Sequence, residues 1–170
     1  SYEYESDTLR PRKITAPNGG YTLTEYSDKL VTNTADLLPG FAKTTATLDV
    51  NNSAQRYSYF DGRGSNIQSA SLTPDGWSVT ATKYDQLGRA RVTYNPFYAS
   101  TPNSSVPTGT KFTEITEIDA LGRTAEVRLQ DLTAIATEFS SPTSTPAGLG
   151  RTFATVTDQA GKKRRQLMDA

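Results

Sequence analysis

The sequence predicts an all-β fold, an array of consecutive antiparallel β-hairpins, and three observations predict it. Turn signals recur about every eleven residues, and the segments between them are rich in Thr, Val, Ile and aromatics. No stretch carries an extended i, i+3, i+4 apolar stripe. The intervals are steady: Asp7 to Pro17 is 10 residues, Pro17 to Asp28 is 11, Asp61 to Pro74 is 13, Pro74 to Asp85 is 11 and Asp158 to Asp169 is 11. Setting aside about four or five turn residues leaves strands of about six or seven, the ordinary length. Two strands and two turns then form one unit of 21 residues, the step from Asp7 to Asp28.

Taken along the chain, Asp7-Thr8-Leu9 opens the series with only the Asp and the Leu of the turn pattern, and Pro17-Asn18-Gly19-Gly20 follows as a second kind of turn. Asp28-Lys29-Leu30 again keeps the Asp and the Leu, and Phe60-Asp61-Gly62-Arg63-Gly64-Ser65 keeps the aromatic, the Asp and the Gly. Pro74-Asp75-Gly76 repeats the second turn kind. It leads into a segment, 77–84, in which Trp77, Val79 and Ala81 alternate with Ser78, Thr80 and Thr82. Such alternation suits an antiparallel sheet with one dry and one wet face.

Next stands Tyr84-Asp85-Gln86-Leu87-Gly88-Arg89, and its best copy is Ile118-Asp119-Ala120-Leu121-Gly122-Arg123. Between them the Pro, Ser, Thr, Asn and Gly of 95–110 read as a loop inserted at a turn. Strands are expected over 112–118 and 124–129, and a short helix is open around 131–136. A second insertion covers 140–150, a strand covers 152–157, and Asp158, Gly161 and Lys162 keep the Asp, the Gly and a basic end. Met168-Asp169-Ala170 looks like one more copy cut in mid-motif, so the expectation is a single segment of a longer array over 1–170.

The turn chemistry is specific. Asp at the first corner accepts a backbone hydrogen bond two residues on, and Gly three places later adopts φ > 0 without a Cβ clash, the signature of a three-residue loop with a G1 bulge. In the Pro-Asx-Gly turns Pro presets φ and Gly again supplies the left-handed position. Arg89 and Arg123 are expected opposite Tyr84 and Ile118, their stems covering an apolar neighbour.

Composition narrows the function classes. Hydrophobic residues are 35% of the chain and Ser plus Thr about a quarter, which implies a thin core. Eighteen basic residues balance eighteen acidic ones, so no net field draws the chain to nucleic acid or an anionic surface. With no His and no Cys, its own side chains cannot build a Ser-His-Asp triad, a Cys nucleophile, a His-bound metal or a zinc finger. Neither a signal peptide nor a long apolar span is expected. No cofactor, metal or catalytic residue is expected, and the chain reads as a non-enzyme.

The two full motifs, with the interleaved Pro74-Asp75-Gly76, make this chain similar to the YD repeats of bacterial Rhs proteins, over nearly its whole length. Departures from the pattern are Ser27 and Thr157 in the Tyr place, Arg10 and Val31 in the Gly place, and Thr32 and Ser65 in the Arg place. What the resemblance implies is a curved β-sheet strip forming part of a shell-like superstructure. In that family the shell encloses a C-terminal toxin or effector, or serves at the cell surface, and some members are linked to carbohydrate. The implied partners are flanking repeats of the same chain, an enclosed toxin or effector domain and a cell-surface glycan, with no nucleic acid and no membrane insertion. The implied location is outside or on the surface of a bacterium. The DPxGL core segment tied to self-cleavage is absent from these residues.

Three further features compete with a purely structural reading. Trp77, with Phe97 and Tyr98 in the first insertion, could stack sugars, and Phe97 and Tyr98 are expected exposed there, although strand aromatics more often pack. This defines the runner-up, a carbohydrate- or cell-surface-binding β module. Asp85, Glu114, Glu117, Asp119 and Glu126 lie close in sequence and suggest, more remotely, a two-carboxylate glycoside hydrolase, which needs two carboxylates facing one cleft. The cluster Lys162-Lys163-Arg164-Arg165 reads as charge on a wet or edge strand.

Overall fold

A computed structural model describes residues 1–27, 40–47, 52–140 and 152–168. Those residues hold fourteen strands and no helix, all antiparallel and in one open sheet. In chain order the strands are β1 (Tyr2–Tyr4), β2 (Pro11–Thr15), β3 (Tyr21–Ser27), β4 (Gly40–Thr47), β5 (Ser53–Phe60), β6 (Asn66–Thr73) and β7 (Gly76–Tyr84). They continue as β8 (Ala90–Tyr94), β9 (Phe97–Ala99), β10 (Phe112–Ile118), β11 (Thr124–Arg128), β12 (Ala134–Ser140), β13 (Thr152–Thr157) and β14 (Lys163–Met168). Each pairs with the next in sequence, except that β10 returns to β8 and β9 lies against β7.

Consecutive antiparallel pairing sends successive turns to alternate sides of the strip. Residues 5–10, 61–65, 85–89 and 119–123 therefore line one side, and 16–20, 74–75, 129–133 and 158–162 line the other. The Asp turns and the Pro turns of the sequence thus mark opposite sides over the first two thirds of the chain. Asp158 departs from that rule: three strands, β11 to β13, separate it from Asp119, which puts its turn on the Pro side. The Asp28 copy, the insertion at 140–150 and Asp169 fall on residues outside the described set, apart from Ser140, which ends β12.

The faces follow the predicted alternation. Register aligns Phe41, Tyr59, Gln68 and Ala81 in one row, Lys43, Tyr57, Ala70, Val79 and Phe97 in the next, and Leu72, Trp77 and Ala99 in a third, all on one face. The opposite face carries Thr44, Arg56, Ser58, Ser69, Ser71, Ser78 and Thr80. Among the described residues the buried cluster lies on the first face: Ala70, Val79 and Phe97 are buried, with Tyr57, Trp77, Ala99 and Val106 packed on them. Tyr57 and Trp77 meet edge to face at 5.3 Å, and Tyr57 stacks on Tyr59 at 5.8 Å.

The core exists because the first insertion folds back. Strand β7 shares one edge between two partners, with Thr82 to Tyr84 paired to β8 and Trp77 to Val79 paired to β9. Beyond β9 the chain crosses the apolar face, where Ser104 O accepts Gln68 Nε2 at 2.7 Å and Val106 reaches the core. Residues 95–110 are therefore a strap with its own strand. The composition suggested a plain loop because only Phe97, Tyr98, Ala99 and Val106 among them are apolar or aromatic.

Residues 131–136 form no helix. Leu132 takes φ 69° and closes a turn from Leu129 to Thr133, after which β12 begins at Ala134. Asp131 Oδ1 accepts both the N–H and the hydroxyl of Thr133, which stabilises the turn where helix would otherwise start.

Candidate functional site

The turn motifs converge on one geometry. At 85–89 the N–H of Asp85 bonds to Arg89 O at 2.9 Å and the N–H of Gly88 to Asp85 O at 3.0 Å, while Gly88 sits at φ 78°. The same two bonds close 61–65 with Gly64, 119–123 with Gly122 and 158–162 with Gly161. They also close 16–20, so Pro17-Asn18-Gly19 belongs to this class and not to a separate one. Pro74-Asp75 differs, because Thr73 and Gly76 pair directly and leave a two-residue loop. A Cβ on Gly76 would meet Ala99 O at 3.0 Å, so Gly76 also lets the strap approach.

The motif Asp organises its turn through its side chain. Asp85 Oδ1 accepts the N–H groups of Leu87 (2.9 Å) and Arg89 (3.0 Å). Asp119 does the same for Leu121 and Arg123, Asp61 for Arg63 and Ser65, and Asp158 for Ala160 and Lys162. The motif Arg then returns to the second oxygen, with Arg89 Nε and Nη2 each 2.8 Å and Arg123 Nε 2.6 Å from Oδ2. This corrects the expected placement: Tyr84 faces Ala90 and Ile118 faces Thr124, while the two arginines clasp their own aspartates. The clasp is a charge-assisted fork that extended-strand reasoning does not anticipate.

These contacts set the acidity of the turns. The N–H of Ser65 holds Asp61 below the ordinary aspartate range, and that of Arg89 does the same for Asp85. Desolvation works against Asp119, but the Arg123 N–H and guanidinium outweigh it and its carboxyl too is lowered. The Thr133 hydroxyl lowers Asp131.

Neighbouring turns on the Asp side are tied together. Tyr84 donates its hydroxyl to Asn66 O at 2.9 Å, and Arg63 Nη1 donates to Gln86 O at 2.7 Å, which joins 61–65 to 85–89. Tyr26 repeats the device on Pro11 O at 3.1 Å. The motif Tyr is thus a lateral tie, a role that neither spacing nor propensity discloses. The first turn is one residue longer than its sequence reading: it runs from Glu5 to Arg10, with Leu9 at φ 56° in the Gly place, so Asp7 is not its first corner.

The carboxylate cluster disperses on folding. Glu114 pairs with Arg128 at 3.1 Å, Glu126 accepts the Thr116 hydroxyl at 2.6 Å, and Asp85 and Asp119 are held in their turns. Register does bring Glu117 opposite Glu126 across β10 and β11. Glu117 also borders an open groove of about 550 Å³ shared with Asp119, Arg123, Glu138 and Phe139, in which Arg123 lies 3.8 Å over the Phe139 ring. Among the described residues no group of three or more His, Cys, Asp or Glu side chains could hold a metal ion, and no helix is long and apolar enough to cross a membrane.

The aromatic candidates separate. Phe97 is 9% exposed and part of the core, contrary to the exposure expected of it, because β9 turns it onto Val79. Trp77 lies on the same face, packed on that core. Tyr98 stands on the hydroxyl-rich face opposite Ser78 and is 65% exposed. Over β4 to β7 the sheet thus offers ordered turns, one strapped apolar face and one hydroxyl-rich face.

Residues 38–141, more than half of the chain, match a family described as Domain of unknown function (DUF6443). No curated protein matches.

Proposed function

Because the chain belongs to the DUF6443 family, whose description names no activity, we propose from its architecture that it is a structural repeat segment, part of a shell or surface stalk like that of the Rhs proteins its turns resemble. The observation that carries this reading is the strand order. Apart from β9, every strand follows its predecessor, and among the described residues β1 and β14 are each paired on one side only. Such a sheet is extended at either end by the same hairpin rule, and each unit depends on its neighbours for cover. The wall encloses or presents a C-terminal toxin or effector outside a bacterial cell.

Limited proteolysis of the longest natural polypeptide carrying this chain tests the proposal. A region C-terminal to the array that resists protease, and loses that resistance when Val79→Asp breaches the core, is the expected result. A C-terminal region equally accessible in the wild type, or flanking sequence without further hairpin units, would overturn it.

Tyr98 favours a second reading, a surface that stacks sugars, since it stands exposed among hydroxyl side chains. Glycan binding that is lost in Tyr98→Ala while the fold persists supports it. A wild-type chain that binds nothing across a broad glycan array removes it.

A further inference from the structure

We propose that Asn18 is a site of spontaneous covalent modification, where the side-chain amide is lost as ammonia and aspartate or isoaspartate is left, at a rate set by the turn 16–20 that holds it. The proposal is independent of the wall reading.

The sequence singles this residue out. Ring closure at an asparagine needs the backbone nitrogen of the following residue to reach Cγ, so the side chain of that following residue decides access. Asn18 alone among the seven asparagines is followed by Gly. Asn66 is followed by Ile67, whose branched Cβ crowds the nitrogen, and Asn95 by Pro96, whose nitrogen carries no proton. Asn18 and Gly19 are both exposed, and a Cβ built on Gly19 would meet nothing within 4 Å, so solvent reaches the site.

The structure explains why a labile residue stands there. The turns at 61, 85, 119 and 158 begin on an aspartate whose Oδ1 accepts two N–H groups, whereas the first corner of 16–20 is Ala16. Asn18 supplies the missing acceptor from within the loop: its Oδ1 takes the N–H of Gly20 at 3.2 Å.

The same turn restrains the reaction. The nucleophile is the Gly19 nitrogen, whose N–H donates to Ala16 O at 3.0 Å while Gly19 is held at φ 84°. Reaction requires Gly19 to leave Ala16 and the Asn18 amide to leave Gly20. The Gly19 nitrogen then gives its proton to hydroxide and bonds to Cγ, the Cγ–Nδ2 bond breaks, and ammonia leaves with a proton from water. Water adds to either carbonyl of the resulting five-membered imide, which opens to aspartate one way and to isoaspartate the other. Holding both bonds slows ring closure about tenfold in the folded chain.

The two products differ in consequence. Aspartate keeps the backbone and an oxygen for the Gly20 N–H, and gives a chain of formal charge +0 one negative charge. Isoaspartate adds one carbon to the backbone between Ala16 and Gly20, which moves the Gly19 N–H off Ala16 O and frays β2 and β3 from the pair Thr15–Tyr21. Asn18 is thus an enzyme-free, one-way loosening point of this hairpin.

Peptide mapping by mass spectrometry tests this on the 170-residue chain aged in mildly alkaline buffer, folded and in urea. The peptide carrying Asn18 is expected to exchange ammonia for water before any other asparagine reacts, about tenfold faster in urea than in the folded chain. In urea, where turn geometry plays no part, Gly19→Ala should slow the change severalfold and Asn18→Gln should stop it. Amides of 13–15 and 21–23 should exchange with deuterium faster in the isoaspartate fraction, and at the original rate in Asn18→Asp.

A folded chain in which another asparagine converts first, or in which Asn18 stays intact while the urea sample is fully converted, would overturn the site. Equal rates in the two states would overturn the hold of the turn. An isoaspartate fraction that exchanges like the fresh chain would overturn the loosening.

Discussion

Leu132 is the best place to measure what the turn geometry costs. It stands in the same backbone position as Gly88, Gly122 and Gly161, at φ 69°, and its side chain is 71% exposed. A residue with a Cβ loses about 1–2 kcal/mol in that conformation. Replacing it by Gly removes this strain but loosens the unfolded chain by about 0.4–1 kcal/mol. Little burial is lost, so Leu132→Gly should stabilise the protein by about 0.5–1 kcal/mol. With a urea slope of about 2 kcal/mol/M, the midpoint rises by about 0.3–0.5 M at constant slope. Gly88→Ala is the mirror experiment. Its new Cβ would meet nothing within 4 Å, so only backbone strain changes, and the midpoint should fall by a similar amount. A lower midpoint for Leu132→Gly, or none of the expected fall for Gly88→Ala, would refute the assignment of these positions to one turn class.

Other outcomes follow from the same contacts. Phe97→Ala removes the anchor of the strap from the buried cluster of Ala70 and Val79 and should cost about 3–5 kcal/mol, with protease cutting first within 100–111; an unchanged melting curve would contradict the packing. Asp61, Asp85, Asp119 and Asp131 all titrate below the ordinary value of 3.8 when folded, so their contribution is complete above that value and is lost as pH falls through the folded values. Denaturation midpoints should therefore drop as pH falls below 3.8. They should drop less in Asp85→Asn, which has one such group fewer. Burial, reinforced by Tyr57, pushes the Tyr59 phenol up to about 12, so ultraviolet titration of Tyr59→Phe should lack the ionisation at about 12 that the wild type shows.

Much of the architecture was legible because hairpin arrays are written locally. Asp-x-x-Gly announced the turns at 61, 85, 119 and 158, and the alternation from Trp77 to Thr82 announced both faces before any contact was known. Three things were not legible. The turn at 129–133 has no Gly, so its signal was only an Asp capping Thr133 at the usual interval, and helix propensity filled the gap. The strap looked like a loop because its burial depends on β7 offering an edge that β8 leaves free, a fact of tertiary structure. The side on which Asp158 lies depends on counting strands through the second insertion, where the turn intervals lapse. For the candidate site, residue types identified the turns, but the roles of Tyr84 and Arg63 appear only when two hairpins lie side by side.

The strand path has a mechanical meaning. A tensile load applied along it, from β1 toward β14, runs across the strands and parallel to the ladder bonds, so those bonds yield one after another and not together. Such a sheet should peel hairpin by hairpin at low force, giving length gradually instead of failing at once. Strand β7 is the exception, since β8 and β9 both grip one edge of it and the Gln68 to Ser104 bond backs them. Under tension the strap therefore acts as a catch in mid-strip, dividing an easily paid-out tape into two lengths that give way separately.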